Sequence, residues 1–596
     1  MASEGRLTRD VRYLRNALRT LRRVKPIKAD SPNLACDDLE KAVDQWPSSR
    51  AITFEGKTLT YSEFDALANR YAHWAKAQGL TRGQTVAIFL PNRMEYIPIW
   101  YGLTKVGVVG ALINNNLAGA ALAHCLNIST ALHCIVDSET APAFDAVKGL
   151  FKRPIKEWTL SKAREGQKDL AQALKSCSAL RPDRAGRDGL TAKDTALYIF
   201  TSGTTGLPKA AKMTHMRVQL YMSGFAGSTG AVASDRIYIT LPLYHATGGL
   251  CAVGAALLTG ASIVLRKKFS ATHFWPEIVE QDCTMFVYIG ELCRYLINQP
   301  EHPLERAHKI REAFGNGLRP DVWEEMQPRF AIPFILEFYG ATEGNVSMFN
   351  FDGKPGAIGR VPKWLRWRFN TRLVRFDLEK EEPIRGSDGF CRECKPGEIG
   401  EAIGSIGTDV RSAYVGYADK KASEKKVLRD VFKKGDKWFR TGDLMRQDAE
   451  GYYYFVDRIG DTFRWKGENV STSEVAERLA HVPGVQEVNV YGVPVGKLDG
   501  KAGMASLVVD GDFDIDSLAE FVDRELPGYA RPVFVRLQPQ IETTGTFKYR
   551  KMDLVEEGFD PAKVKDPLYF RSPEKQGYVK VTKASYDKLC AGGFKI

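Results

Sequence analysis

From about residue 51 onward, short apolar runs alternate with segments of helical periodicity, and this alternation limits the possible folds more than any other feature of the chain. The runs at 86–90, 132–136, 196–200, 236–241, 262–265, 285–289 and 334–338 are mostly bounded by Gly, Pro, Asp or Ser. They are short and apolar on both faces, as strands covered on both sides must be. Several precede helical patterns, such as 92–106 after a proline turn. The pattern predicts parallel sheets covered by helices. Residues 367–376 and 451–456 read as antiparallel strands, so a β-rich section follows. After Arg458 a smaller α/β unit begins, with helices at 473–480 and 515–525 and strands at 488–491, 505–509 and 533–537. The stretch 148–193 is polar and basic and reads as an exposed connection. At 596 residues the chain is too long for one core. The expected fold class is α/β: a large N-terminal domain of parallel, helix-covered sheets with a β-rich section, then a small C-terminal α/β domain. The expected boundaries are 1–30, 31–458 and 459–596.

The 84 basic residues exceed the 72 acidic ones, a formal charge of +12. Such an excess suits nucleic acid, anionic lipid or polyanionic substrates. Part of it is local. Arg6, Arg9, Arg12, Arg15, Arg19, Arg22 and Arg23 interrupt every apolar stretch of the N-terminus, so no signal peptide is expected. Leu7, Val11, Leu14, Leu18 and Leu21 fall on one helical face. Two readings are open for this basic amphipathic helix: it lies on an anionic membrane, or it packs on its own domain or a partner with its arginines solvated. No run of 18 uninterrupted apolar residues exists, so no spanning helix is expected. The most apolar stretch, 248–265, reads as a buried helix followed by a strand. The ten cysteines lack regular spacing and read as reduced thiols. Cys391 and Cys394 form a lone CxxC without a second ligand pair, expected on a surface turn.

Chemistry first shows at Tyr198-Ile-Phe-Thr201-Ser202-Gly203-Thr204-Thr205-Gly206-Leu-Pro-Lys209. An apolar strand runs into glycines and hydroxyls that end in a lysine. Glycines let backbone N–H groups approach phosphate oxygens, and the hydroxyls and Lys209 add donors and charge. The loop is not a Walker A sequence.

This string closely resembles the phosphate-binding loop of the adenylate-forming superfamily, which includes acyl-CoA synthetases, luciferases and peptide-synthetase adenylation domains. Leu241-Pro-Leu-Tyr244-His245, Tyr339-Gly340-Ala341-Thr342-Glu343, Thr441-Gly442-Asp443 and Arg458 resemble the later motifs in the family's order, so the resemblance covers about residue 51 to the end. Asp457-Arg-Ile-Gly460-Asp-Thr-Phe-Arg464-Trp465-Lys466-Gly467, Phe314-Gly315-Asn316-Gly-Leu-Arg-Pro320 and Asp566-Pro-Leu-Tyr-Phe570 look like the fatty acid transport proteins, also called very-long-chain acyl-CoA synthetases. The resemblance implies activation of a long-chain or very-long-chain fatty acid by ATP and Mg2+, then transfer to CoA. It implies an ATP site of Thr201 to Gly206, Lys209, Gly315, Asn316, Tyr339 to Thr342, Asp443 and Arg458. It further implies a CoA-side loop of Arg464, Trp465, Lys466 and Gly467, a hinge at Gly460 for a mobile small domain, and a catalytic lysine, Lys548. Lys551 is a competitor for that role. The implied location is cytoplasmic, peripheral on the inner face of a membrane, with no nucleic-acid partner.

Each residue also carries a reading from its own chemistry and an ordinary alternative. Glu343, beside Thr342 in a glycine-flanked turn, suits a hard cation; the alternative is a solvated turn carboxylate. Asp443 suits two ribose hydroxyls, or an Asx turn. Tyr339 stacks on adenine, or packs in the core. His245 gates the substrate, or is structural. Arg458 offers a fork for oxygens, or a surface ion pair. Fatty carboxylate and ATP are both anions, so cations must sit where charge develops; magnesium on Glu343, Lys209 and Lys548 would supply them. The small residues Gly248, Gly249, Gly254, Ala255 and Ala256 leave room for an alkyl chain, or allow close helix packing. Two other functions stay open: a fatty acid transport or binding protein, and an enzyme that adenylates another acid or loads a carrier protein.

Overall fold

The computed structural model describes residues 6–160, 167–201, 207–378, 380–409, 411–466, 468–496, 498, 500–541, 551–575 and 577–594. The chain divides into two compact units, Met1–Arg360 with Gly404–Leu428, and Val361–Ile403 with Arg429–Ile596.

The first unit holds two large sheets. In one, six parallel strands run in the order Ile335–Gly340, Glu312–Asn316, Met285–Ile289, Arg236–Ile239, Ser262–Leu265 and Arg50–Phe54. Antiparallel strands Ser347–Asn350 and Lys57–Thr60 close its edges. In the other, Lys168–Asp169, Lys156–Thr159, Ala131–Val136, Thr85–Ile88, Val109–Leu112 and Thr195–Thr201 are parallel, and Lys209–Thr214 returns antiparallel along the last. Every residue of Thr85–Ile88 and Val109–Leu112 is buried, as two-sided helical cover requires. Helix starts are set locally: Thr60 and Glu63 form a capping box for Tyr61–Ala77, and the Thr214 hydroxyl caps His215–Ser228.

The stretch 148–193 is more than a connection. Lys156–Thr159 and Lys168–Asp169 extend a sheet and Leu170–Lys175 is helical, because the Trp158 ring gives the segment a buried anchor and its indole N–H donates to His133 Nδ1 at 2.9 Å. The helix predicted over 92–106 starts only at Tyr96. Asn92 is instead a buried bracket: its amide donates to Leu241 O at 2.9 Å and Arg266 O at 3.0 Å, and its oxygen accepts from Leu243 N at 2.9 Å. Between the strand ends Thr247–Ala252 is a π-helix, followed by the α-helix Val253–Leu257. The small residues there serve close packing. A Cβ on Gly249 would lie 2.0 Å from Leu243 O, and one on Gly254 would lie 2.1 Å from Met222 Cα.

The N-terminal helix Arg6–Val24 packs on this unit, but not by its apolar stripe. Tyr13 is 2% exposed, and its hydroxyl donates to Arg360 O at 3.0 Å. Asn16 is buried on the same side. Arg19 donates from Nε to Gly227 O at 2.5 Å and from Nη2 to Ser228 O at 2.7 Å, satisfying last-turn carbonyls of helix His215–Ser228. Leu7 at 79% and Val11 at 57% exposure face outward, with Leu18 and Leu21 also exposed. Among the described residues, no helix is long and apolar enough to cross a membrane.

The second unit carries most of a β-rich section in which Tyr452–Arg458, Lys437–Gln447, Ile399–Ser405, Thr371–Asp377 and Glu382–Pro383 lie in that order, the first pair and the last pair antiparallel. The strand predicted from 367 begins at Thr371, and Lys363–Arg368 is a 3-10 helix. A five-stranded sheet follows, ordered Val485–Val493, Ala502–Val509, Phe534–Leu537, Leu568–Ser572 and Gly577–Lys580. Helices Thr472–Leu479 and Ile515–Glu525 pack on it around Val488, Leu507, Leu518, Val522 and Phe534. Cys391 is not on a surface turn: it is buried, and its N–H donates to Val431 O at 2.7 Å. All ten cysteines are free thiols.

Candidate functional site

In the first unit, motif residues gather where parallel strands end, the place where open α/β sheets bind ligands. Gly315 and Asn316 end the strand Glu312–Asn316, and Tyr339 and Gly340 end its neighbour Ile335–Gly340. The Asn316 side-chain oxygen Oδ1 is buried with no hydrogen-bond partner among the described residues, an acceptor suited to an exocyclic amine such as that of adenine. Gly315 is needed for space, since a Cβ there would lie 2.2 Å from Tyr288 O. Glu337 braces this pair of strand ends. Its buried carboxyl accepts from Tyr288 Oη at 2.5 Å and Leu318 N at 3.1 Å, and burial pushes it up to about 8.

The turn after Gly340 is held from three sides. Tyr221 Oη donates to Ala341 O at 3.1 Å, Arg217 Nη2 donates to Thr342 O at 2.5 Å, and Tyr417 Oη donates to Glu343 Oε1 at 2.6 Å. Tyr417 comes from an extended segment that bridges to Ala211 on the strand Lys209–Thr214. Lys209 Nζ lies 5.6 Å from the Tyr417 ring centroid, and Thr201 is a further hydrogen-bond neighbour of the Tyr417 phenol. Thr201, Lys209 and Glu343 therefore meet at one tyrosine. Burial, then the Glu343 charge, raises the Tyr417 hydroxyl; the same two causes push Tyr414 up to about 12, and burial brings Tyr221 to about 12. The three phenols stay protonated; Tyr221 and Tyr417 face the turn as neutral donors, while Tyr414 donates to Ser423 O at 3.1 Å. Ser202, Gly203, Thr204, Thr205 and Gly206 lie outside the described residues. His245 is half-buried in the loop after Arg236–Ile239, its ring 4.5 Å from that of Tyr244 and its carbonyl accepting from Gly249 N at 2.7 Å.

In the second unit, Asp443 and Arg458 are cross-strand partners, with Arg458 Nε 3.6 Å from Asp443 Oδ1. Glu401, fully buried, fixes the adjoining strand through Arg440 at 2.9 Å and Gly442 N at 3.3 Å. Gly460 follows with φ of +95° and nothing within 4 Å of a Cβ, so backbone conformation alone favours glycine there. Buried Asp457 accepts from Thr472 N at 2.6 Å and Thr462 Oγ1 at 3.1 Å, tying both sides of the Gly460 turn to one carboxylate; burial raises its pKa. Arg464 and Lys466 are exposed on the hairpin of Phe463–Trp465 with Glu468–Val470. Trp465 differs from its predicted CoA-facing role: its side chain is 3% exposed in the core of this unit, because alternate residues of a strand face opposite sides. Gly467 and Lys548 lie outside the described residues.

Tyr417, Arg217, Tyr221 and Asn92 were not predicted. Tyr417, in the segment Tyr414-Val-Gly-Tyr417, lies 74 residues beyond Glu343 in an irregular stretch, so no period or spacing points to it.

Comparison with known proteins gives a consistent result. The AMP-binding enzyme family model matches residues 39–386, and the AMP-binding enzyme C-terminal domain model matches 474–548. Long-chain fatty acid transport protein 6 of Mus musculus is 41% identical over 557 residues, covering 92% of this chain and 89% of that protein. Among solved structures, a fatty acyl CoA synthetase of Mycobacterium tuberculosis aligns with a TM-score of 0.62 and 25% identity, over 88% of this chain and 98% of that one. An anthranilate CoA ligase in complex with anthranoyl-AMP shares the fold, with a TM-score of 0.74 at 21% identity over 89% and 98% of the two chains.

Proposed function

Because the chain belongs to the AMP-binding enzyme family, among its long-chain fatty acid transport proteins, we propose that it is a fatty acid–CoA ligase for long or very long chains. The reaction joins the fatty carboxylate to the α-phosphate of ATP, releasing pyrophosphate. The CoA thiol then attacks the acyl-adenylate carbonyl and releases AMP. The observation that carries this reading is the meeting of Lys209, Thr201 and Glu343 around Tyr417. It offers a cation, hydroxyl donors and one carboxylate, a donor set suited to a magnesium-bound polyphosphate. Glu343 would hold the magnesium, which when bound neutralises phosphate charge. Lys209 would draw the phosphates, Tyr339 would face adenine with the Asn316 oxygen, and Asp443 and Arg458 would take the ribose. His245 would sit on the acyl side. Residues 459–596 would turn about Gly460 between the half-reactions, bringing Arg464 and Lys466 toward CoA. Trapping the acid as its CoA ester would drive uptake without a channel. The deciding experiment is AMP release with ATP, magnesium, CoA and acids from acetate to very long chains. Release that rises with chain length supports the reading, and release only with a carrier protein as acceptor overturns it.

The reading includes a site of action: an anionic membrane, at its inner, cytoplasmic face. The N-terminal helix supports this, since its polar side is used in packing while Leu7, Val11, Leu18 and Leu21 stay outward beside exposed Arg15 and Arg22. Leu7→Ser, Val11→Ser and Leu18→Ser together should cost about 1 kcal/mol each on a bilayer, so roughly 100-fold in partition to anionic vesicles. AMP release on a short soluble acid should not change. Unaltered vesicle binding would remove the helix from the membrane.

A further inference from the structure

The second unit exposes two indoles side by side on the 3-10 helix Lys363–Arg368, sequence Lys-Trp-Leu-Arg-Trp-Arg. With three residues per turn, Trp364 and Trp367 fall on one edge and Lys363 and Arg366 on the next. Trp364 is 45% and Trp367 71% exposed, while Leu365 and Phe369 are half-buried and Pro362 is buried. The Arg368 guanidinium lies over the Trp367 ring, 4.2 Å from its centroid, so a cation sits directly against the more exposed indole. Lys363, Arg366, Arg368 and nearby Arg372 outnumber one carboxylate, Glu393, which pairs with Arg366 and lies 3.9 Å from Arg372 Nε.

Single exposed apolar residues need no explanation, but two adjacent indoles within a ring of cations do. Tryptophan is the side chain best suited to the boundary between headgroups and acyl chains, and lysine and arginine beside it meet anionic headgroups. The edge presents apolar rings and an excess of cations over the single carboxylate Glu393 among the described contacts, a charge balance that complements an anionic headgroup layer. We propose that Lys363–Arg368 is a lipid-contact patch: Trp364 and Trp367 enter the headgroup boundary of an anionic bilayer while Lys363, Arg366 and Arg368 contact its charge. The patch shares its class of partner with the N-terminal helix, but it rests on different residues and does not depend on them.

The test uses the full chain and vesicles of phosphatidylcholine with phosphatidylserine, some carrying brominated acyl chains that quench indole emission on contact. Ten tryptophans are present, so the readout is the difference between the protein and its Trp364→Phe, Trp367→Phe variant. Bromolipid quenching should be lost in the variant, which keeps an apolar ring at each position. Lys363→Gln, Arg366→Gln and Arg368→Gln together should weaken binding about 100-fold and flatten its dependence on phosphatidylserine. AMP release on a short soluble acid should stay the same in both. Quenching that persists in the Phe variant, or binding unaltered in the Gln variant, overturns the proposal. So does a change in sedimentation with vesicle binding intact, which would assign the patch to a second copy of the chain. The Leu7, Val11 and Leu18 variant, run alongside at lipid excess, should keep the bromolipid quenching, so failure of the helix and failure of the patch read out separately.

Discussion

Glu343→Gln should lower acyl-adenylate formation by about 10²–10³-fold, with the fold retained. The substitution keeps size and hydrogen-bonding capacity and removes the charge. The turn does not need that charge for its shape, because Arg217 and Tyr221 hold it through the carbonyls of Thr342 and Ala341. What is lost is the anionic oxygen that a hard cation requires. Tyr417→Phe should behave differently. It removes the donor that aligns Glu343 but leaves the carboxylate, so the magnesium concentration for half-maximal rate should rise several-fold while the rate at saturating magnesium falls little. Pyrophosphate release titrated against magnesium distinguishes the two. Near-normal turnover of the Gln variant at limiting magnesium would show that Glu343 is not a ligand.

That contrast also marks how far the site is legible in the sequence. Ser262–Leu265, Met285–Ile289 and Ile515–Glu525 fall where apolar runs and helical periodicity place them, because burial on both faces or on one stripe leaves a local record. The turn at Glu343 is visible as a motif, since its chemistry sits in consecutive residues. Its supports are not. Tyr417 reaches Glu343 only through a bridge to the strand Lys209–Thr214, and Asn92 acts on Leu241 and Leu243 from 149 and 151 residues away. Neither contact has a period, so three-dimensional pairing alone reveals it. The N-terminal helix marks a different limit. Its heptad-like leucines correctly mark a helix, but periodicity cannot say which side meets the protein. Here the hydrogen bonds of Tyr13 and Arg19 choose the polar side. Trp465 is the reverse case, a motif residue whose apolar bulk places it in the core.

Lys548→Ala should abolish most acyl-adenylate formation yet leave the conversion of supplied acyl-adenylate and CoA to thioester largely intact. The first half-reaction brings two anions together, and a lysine near the carboxylate offsets their repulsion; removing one such donor costs about 10²–10³ in rate. The second half-reaction starts from a neutral carbonyl already bonded to AMP, so it has no comparable need. The Thr543-Thr-Gly545-Thr-Phe-Lys548 segment places two residues between glycine and lysine, which leaves Lys551 as the rival. The structure gives Lys551 other work. Its Nζ lies 2.8 Å from Thr472 Oγ1 and 3.2 Å from Asp461 Oδ2, beside the buried Asp457 that holds the Gly460 turn. A lysine tied in this way braces the Gly460 turn and is poorly placed to follow a substrate carboxylate. Lys551→Ala should therefore lower both half-reactions alike, together with thermal stability. Both half-reactions measured on one preparation of each variant decide the matter. Selective loss of adenylation in Lys551→Ala, with Lys548→Ala active, would transfer the catalytic role to Lys551; equal loss in Lys548→Ala would mean that its charge serves CoA or the fold instead.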